Sequence, residues 1–258
     1  MKGRGRTTQA GVGLVELMVA MAVGLLLVAG AIQQLLANRS SFVLQQQLAA
    51  VQENTRFVLA RLGRDIRQAG AFGCLDLQRL PAPMAAQLPG PLATPISHSA
   101  GVLRLVSAVT VHDPVHTAEQ RDAAGYDARW LLATNCLDEV RVAEAGETLA
   151  VTPGDILIPV RKVEYRLAGH NLQVRTNGAG NFETLIEGVA SFGVQFGLAA
   201  SADEDGVAGA YVATLQPDEG PRVRSVRILL ALSDNPAGQG QLRQRRYTLV
   251  SALRNRLE

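Results

Sequence analysis

An unbroken helical pattern near the N-terminus constrains the fold of this chain more than any other feature. Residues 12–70 contain no proline, and Gly70 is a typical helix stop. Within this stretch, residues 12–32 carry no charge except Glu16. We therefore predict one helix of roughly sixty residues, about 90 Å long at 1.5 Å per residue. Its first half is apolar for long enough to span a membrane.

The second half of the predicted helix is amphipathic. Apolar or small residues recur there at spacings of four and three, which is the period of one helix face. They are Leu44, Leu48, Val51, Thr55, Val58, Leu62, Ile66 and Ala69. The opposite face is polar, with Gln45, Gln46, Gln52, Glu53, Arg56, Arg61, Arg64 and Arg67. Such a stripe has to be buried, so we expect the rest of the chain to cover it.

The remainder of the chain shows strand patterns after a proline-rich segment. We expect residues 80–95 to form a surface loop, because proline interrupts helices and central strands. Residues 182–190 could form a short helix or an irregular link. Strands are predicted at 102–111, 129–133, 139–142, 155–161, 163–167, 172–175, 193–198, 222–232 and 247–253. The pattern predicts an α+β fold, with a long N-terminal helix packed on an antiparallel β-rich domain.

Glu16 carries the first functional signal, because a carboxylate at membrane depth is costly and marks a candidate site. It is the fifth residue after Gly11, and a basic leader with Lys2, Arg4 and Arg6 precedes that glycine. This arrangement resembles the cleavage junction of type IV prepilins. The resemblance implies cleavage by prepilin peptidase between Gly11 and Val12, N-methylation at Val12 and a role for Glu16 in assembly. Phenylalanine is usual in that family where this chain has Val12.

Two alternative interpretations of the N-terminal apolar segment stay open. An ordinary secretory signal peptide also has a basic start and an apolar centre, and residues 29–31 would supply a small-residue cleavage site. Against it, Glu16 would lie inside the apolar region, and the helical pattern continues beyond residue 31. A membrane anchor that is never processed is the second alternative, since the apolar run is long enough to span.

A second resemblance is more specific. The stretch LAAVQENTRFVLARLGRDIRQAGAFGC, residues 48–74, and the closing SALRNRLE, residues 251–258, are similar to the PilW group of minor pilins. The resemblance implies the pilin fold and a part in initiating pilus assembly or in the pilus-tip complex, without enzymatic activity or cofactor. It also implies contacts with other minor pilins, the major pilin, the inner-membrane assembly platform and membrane lipid.

Alternative functions are a minor pseudopilin of a type II secretion system, a tip-displayed adhesin or binding module, and an anchored periplasmic enzyme. The stretch 48–74 argues against the pseudopilin. An enzyme is disfavoured because the sequence contains no nucleotide-binding or hydrolase motif.

These expectations divide the chain into four parts. They are a leader, 1–11, a transmembrane or filament-core half-helix, 12–36, an amphipathic half-helix, 37–70, and a β-rich globular domain, 71–258. Basic residues before the span predict an N-terminus inside the inner membrane and a single pass, with the domain in the periplasm and later at the pilus or cell surface.

Charge and cysteine content narrow the possible partners and compartment. The net charge of +2 falls to −1 once the three leader cations are removed, which gives no electrostatic footprint for nucleic acid. The two cysteines, Cys74 and Cys136, usually pair in an oxidising compartment, and two free buried thiols are the alternative.

Three polar features are weighed as minor candidates. The cluster at 112–116 contains His112, Asp113 and His116, but Pro114 breaks the helix spacing that ligands would need. The acidic loop 201–206, with Asp203, lacks the ligand order of a calcium loop. We therefore expect no metal.

Asp65 is the third of these features. It is four residues from Arg61, which predicts a helix-surface ion pair, or a role in fixing the β-rich domain if that domain covers it.

Overall fold

The computed structural model describes residues 13–77, 80–109, 115–216, 218–233 and 244–254. The chain divides into two compact units, Met1–Ala50 and Val51–Glu258. Helix α1, Leu14–Gln68, contributes residues to both of them. A β-rich domain follows the helix, so the predicted α+β class is confirmed.

The N-terminal unit is the apolar part of α1. This helix is long and apolar enough to cross a membrane by length and composition. Its large side chains are exposed within the subunit, with Leu14 at 75%, Leu25 at 70% and Leu26 at 74%. A continuous apolar surface of this kind requires an apolar surrounding from lipid or from other subunits.

The C-terminal part of α1 packs on the β-rich domain. Its stripe of Thr55, Val58, Leu62 and Ile66 is buried, as the spacing predicted. The helix ends at Gln68, and Gly70 then takes φ 78°, which a residue with a side chain rarely adopts. The Gly70 N–H donates to the Val106 carbonyl oxygen at 2.8 Å, so the chain passes from the helix to the sheet.

Twelve strands form three sheets in the described residues. In chain order, β1 to β12 are Ile96–Ser99, Val102–Ala108, Glu119–Asp122, Trp130–Thr134, Val140–Glu144, Thr148–Val151, Ile156–Ala168, Asn171–Thr176, Glu183–Ile186, Val189–Leu198, Val223–Leu232 and Arg245–Ala252. The largest sheet has the order β1-β2-β7-β4-β5, with β8 paired to β7 and to β9. The strands β10-β11-β12 form a second sheet, and β3-β6 form a third. All pairings are antiparallel.

The core has layers on both faces of the large sheet. The main cluster joins α1 to the first two sheets through Leu62, Leu103, Tyr165 and Phe196. In β4, Trp130 and Leu132 face a second cluster, whereas the alternate residues Leu131 and Ala133 face a third. Both faces of β4 are therefore covered, which explains why this strand is a continuous apolar run.

Three sequence expectations about local structure were wrong. The proline-rich segment contains two one-turn helices, α2, Ala82–Ala85, and α3, Gly90–Ala93, because proline fits the first turn of a helix. The predicted strands 155–161 and 163–167 are the single strand β7. Residues 182–190 contain strand β9 and the start of β10, since β9 finds a partner in β8.

Candidate functional site

Glu16 lies in the first turn of α1 and is exposed in the subunit. Its N–H donates to the Gly13 carbonyl oxygen at 3.0 Å. Gly11 and Val12, the predicted cleavage and methylation residues, lie outside the described residues. Within the part of the chain that the structure describes, no ion pair is formed by the Glu16 carboxylate. A carboxylate at this end of a helix is favourable for the helix dipole and remains free to meet a cation of another molecule.

Asp65 is the polar contact that joins α1 to the large sheet. It is only 7% exposed, and the Tyr165 hydroxyl of β7 donates to its Oδ2 at 2.5 Å. Arg61 Nε donates to the Tyr165 hydroxyl oxygen at 3.2 Å, and Arg161 Nη2 lies 3.9 Å from Asp65 Oδ1. Asp65 therefore fixes the domain on the helix, and the expectation of a helix-surface pair with Arg61 was wrong.

The pKa of Tyr165 reflects this environment. Burial raises the pKa most, and the negative charge of Asp65 and the hydrogen bond to it raise it further. Tyr165 is fully buried, so its hydroxyl stays protonated and remains a donor to Asp65.

Glu164, the residue before Tyr165 in β7, is the centre of an ionic network. Its side chain is 2% exposed, and Arg104 Nε, Lys162 Nζ and Arg175 Nη2 lie 3.2, 3.5 and 2.8 Å from its carboxylate oxygens. Burial alone would raise the pKa of Glu164. The Arg175 hydrogen bond and the three cationic charges outweigh burial, so the pKa is lowered.

A groove of about 620 Å³ lies beside the Asp65 contact, between α1 and the β7 and β8 strands. We call it the cationic groove because arginine dominates its charged lining. Its charged and aromatic lining residues are Glu53, Arg56, Phe57, Arg61, Arg64, Asp65 and Arg161. Several arginines on one concave surface can bind carboxylates or phosphates through paired N–H donors.

The acidic loop 201–206 is exposed, and its backbone is fixed by a buried arginine. Arg224, 4% exposed, donates from Nη2 to the Ala202 carbonyl oxygen at 2.5 Å and from Nε to the Glu204 carbonyl oxygen at 2.7 Å. Among the described residues, no group of three or more His, Cys, Asp or Glu is placed to hold a metal ion. His112, Asp113 and Pro114 lie outside the described residues.

Cys74 and Cys136 form a disulfide with a Cα–Cα distance of 5.8 Å. Cys74 follows the end of α1, and Cys136 lies in the turn between β4 and β5. Asn135 shapes this turn, because its Oδ1 accepts the N–H groups of Leu137, Asp138 and Glu139. The expected pairing is therefore present.

Sequence reasoning missed Tyr165, Arg161 and Glu164. Tyr165 and Glu164 fall within a predicted strand. Apolar and charged residues commonly alternate in a strand, so this pair did not stand out. The usable signal was Asp65 itself, one position before Ile66 of the buried stripe, because a carboxylate so close to a buried face needs a donor. The identity of that donor depends on sheet register and could not be read from spacing.

Two family models match the chain. The model described as Type IV Pilus-assembly protein W matches residues 161–255, and the Prokaryotic N-terminal methylation motif matches residues 6–32. A search of curated proteins finds no match. Proteins of the matched pilin family are structural and not known as enzymes, and the motif implies processing by prepilin peptidase and interaction with other pilus components. With the apolar N-terminal helix and the α+β fold, the two matches support a minor pilin of the type IV pilus, of the PilW kind.

Proposed function

We propose that this chain acts in the initiation of pilus assembly or in the complex at the pilus tip. Prepilin peptidase first removes residues 1–11, and Val12 becomes the methylated N-terminus. The observation that carries the proposal is that Glu16 is the one charged residue in residues 12–32. The methylation-motif match at residues 6–32 includes Gly11, Val12 and Glu16.

The apolar half of α1 serves two environments in succession. Before assembly, residues 12–36 span the inner membrane with the β-rich domain in the periplasm, and until cleavage Lys2, Arg4 and Arg6 hold the leader on the cytoplasmic side. After assembly, the same residues lie in the filament core, which is equally dry. Exposed Leu14, Leu25 and Leu26 need such surroundings in both states.

Glu16 recognises the N-terminus of a neighbouring pilin in this scheme. A cleaved pilin carries a positive amine at the N-terminal end of its helix, where the helix dipole is also positive. The Glu16 carboxylate neutralises that end in a medium where charges attract strongly, although desolvation of both ions offsets much of the gain. The pair therefore sets register and partner choice. The partners are other minor pilins, the major pilin and the inner-membrane assembly platform.

The test replaces Glu16 by alanine. We expect Glu16→Ala to insert in the membrane and to lose its leader normally, while the number of surface pili falls at least about tenfold, because an uncompensated buried amine costs roughly 3 kcal/mol or more. Glu187→Gln, at an exposed position of the β-rich domain, is the matched control and should leave piliation unchanged.

Mass spectrometry of the mature chain completes the test. An N-terminus at Val12, with the mass of a methylated amine, is expected. A start near residue 32 would instead identify an ordinary signal peptide, and wild-type pili in Glu16→Ala would remove the proposed role of this carboxylate.

A further inference from the structure

We propose that the cationic groove binds a carboxylate-rich segment of a neighbouring pilin subunit. The proposal rests on the proposed function, because it needs other subunits in contact with this domain. It concerns the C-terminal unit only and is independent of the Glu16 pairing, which belongs to the apolar part of α1.

The groove contains arginine donors that the fold does not use. Arg56 and Arg64 are exposed, and neither forms an ion pair or hydrogen bond to any residue that the structure describes. To the residues that the structure describes, Arg61 donates through Nε alone, to the Tyr165 hydroxyl. In Arg161, Nε is buried and has no hydrogen-bond partner among the described residues. The exposed guanidinium groups of Arg56 and Arg64 are therefore available to acceptors outside the chain.

Arginines elsewhere in the large sheet differ from those of the groove, because they have partners within the domain. Arg104 and Arg175 are held by Glu164, and the guanidinium groups of Arg166 and Arg175 lie 3.9 and 4.4 Å from the centre of the Phe182 ring. These side chains stabilise the domain internally. Among the groove arginines, Arg56 and Arg64 have no such partner in the described residues, whereas Arg61 is held by the Tyr165 hydroxyl and Arg161 lies 3.9 Å from Asp65.

The lining fits a protein segment better than a nucleic acid. Glu53 and Asp65 lie among the arginines, and their carboxylates would repel a continuous run of phosphates. Phe57 is 48% exposed at the groove and offers an apolar surface between the charges. A segment with two or more carboxylates and an apolar side chain matches this mixture, since arginine binds carboxylates through two parallel N–H bonds.

The test reverses the two free charges and leaves the rest of the helix intact. In a strain whose only copy is the variant chain, we expect Arg56→Glu with Arg64→Glu to reduce co-purification of the other minor pilins at least about tenfold, the usual size of losing paired interfacial charges. Arg67→Glu is the matched control, because Arg67 is an exposed arginine of the same helix outside the groove lining. It should change co-purification less than about twofold, the weak effect of an exposed charge.

A photo-crosslinking amino acid at position 57 identifies the occupant. We expect it to crosslink to an acidic segment of another pilin subunit. Replacing the carboxylates of that segment by lysine should restore co-purification with the Arg56→Glu, Arg64→Glu chain.

Three results would overturn the inference. One is co-purification by the double variant equal to that of Arg67→Glu, and another is a crosslink to a segment without carboxylates. The third is binding of a labelled DNA duplex by the full chain in detergent that is lost in the double variant. The proposed function fails on a different result, namely normal piliation when the wild-type chain is deleted.

Discussion

At the scale of single residues, the contact of Asp65 with Tyr165 shows what a helical pattern predicts and what it omits. The spacing placed Thr55, Val58, Leu62 and Ile66 on the buried face, and these residues are buried. Asp65 is adjacent to that face, and the sequence left open whether it lies at the surface or under the β-rich domain. Its burial depends on a hydroxyl one hundred residues away in sequence, at a position that only the register of β7 defines. Periodicity carries no information on such a partner.

Tyr165→Phe is the direct test of this contact. The substitution keeps the ring in the core and removes the donor to Asp65, leaving a buried carboxylate with Arg161 at 3.9 Å. We expect the free energy of unfolding to fall by about 1.5–3 kcal/mol, the range for a hydrogen bond to a charged group. Guanidinium unfolding followed by fluorescence of Trp130, the one tryptophan, measures it. Tyr247→Phe is the control, because the Tyr247 hydroxyl has no hydrogen-bond partner among the described residues.

At the scale of elements, long apolar patterns were predictable and short polar strands were not. Helix α1 and the apolar strands β4 and β11 follow from their composition. Strand β3 has the sequence EQRD and forms only because β6 pairs with it. Strand β7 was divided in the prediction because Arg161 and Lys162 interrupt the apolar run. In the structure, β4 pairs with its first part, β8 pairs with its second part and β2 pairs with residues 160–166, so one strand supports three neighbours.

The ionic network on β7 gives this element a predictable response to acid. The pKa of Glu164 is lowered in the folded state, so its ionised form stabilises the fold above the ordinary glutamate pKa of about 4.5. That stabilisation is lost as the pH falls through the lower, folded-state pKa. We expect Glu164→Gln to be less stable than the wild type at pH 7, with a difference that narrows progressively below pH 4.5.

Urea unfolding midpoints between pH 7 and pH 3 measure this response. Glu187→Gln should follow the wild type throughout, because Glu187 is exposed and has no partner among the described residues. If the urea midpoints of the wild type and Glu164→Gln change with pH in parallel, ionisation of Glu164 does not stabilise the fold through Arg104, Lys162 and Arg175.

At the scale of the whole molecule, the residues that resembled the PilW group in sequence differ from the residues that the family model matches. The junction around Gly11 and Glu16 indicated a pilin, and the motif match at residues 6–32 supports it. The resemblance at residues 48–74 pointed to the PilW group, whereas the family model matches residues 161–255. That region contains most of β7, including Tyr165, whose hydroxyl donates to Asp65 of α1. Its sequence predicted strands but not their order, because sheet order depends on contacts between distant segments.

The disulfide between Cys74 and Cys136 also joins segments that are distant in sequence. It joins the segment after α1 to the β4–β5 turn across a sequence separation of 62 residues. In the chain-entropy model, closing a loop of that length stabilises the fold by about 4 kcal/mol. We expect Cys74→Ser with Cys136→Ser to lose most of this free energy, measured by guanidinium unfolding of the full chain in detergent. Trp130 reports the transition well, because it packs in the same cluster as Phe72, two residues before Cys74.

A reducing agent should lower the wild-type midpoint to that of the double variant and leave the double variant unchanged. An unaltered wild-type midpoint under reduction would mean that packing alone holds these two segments together.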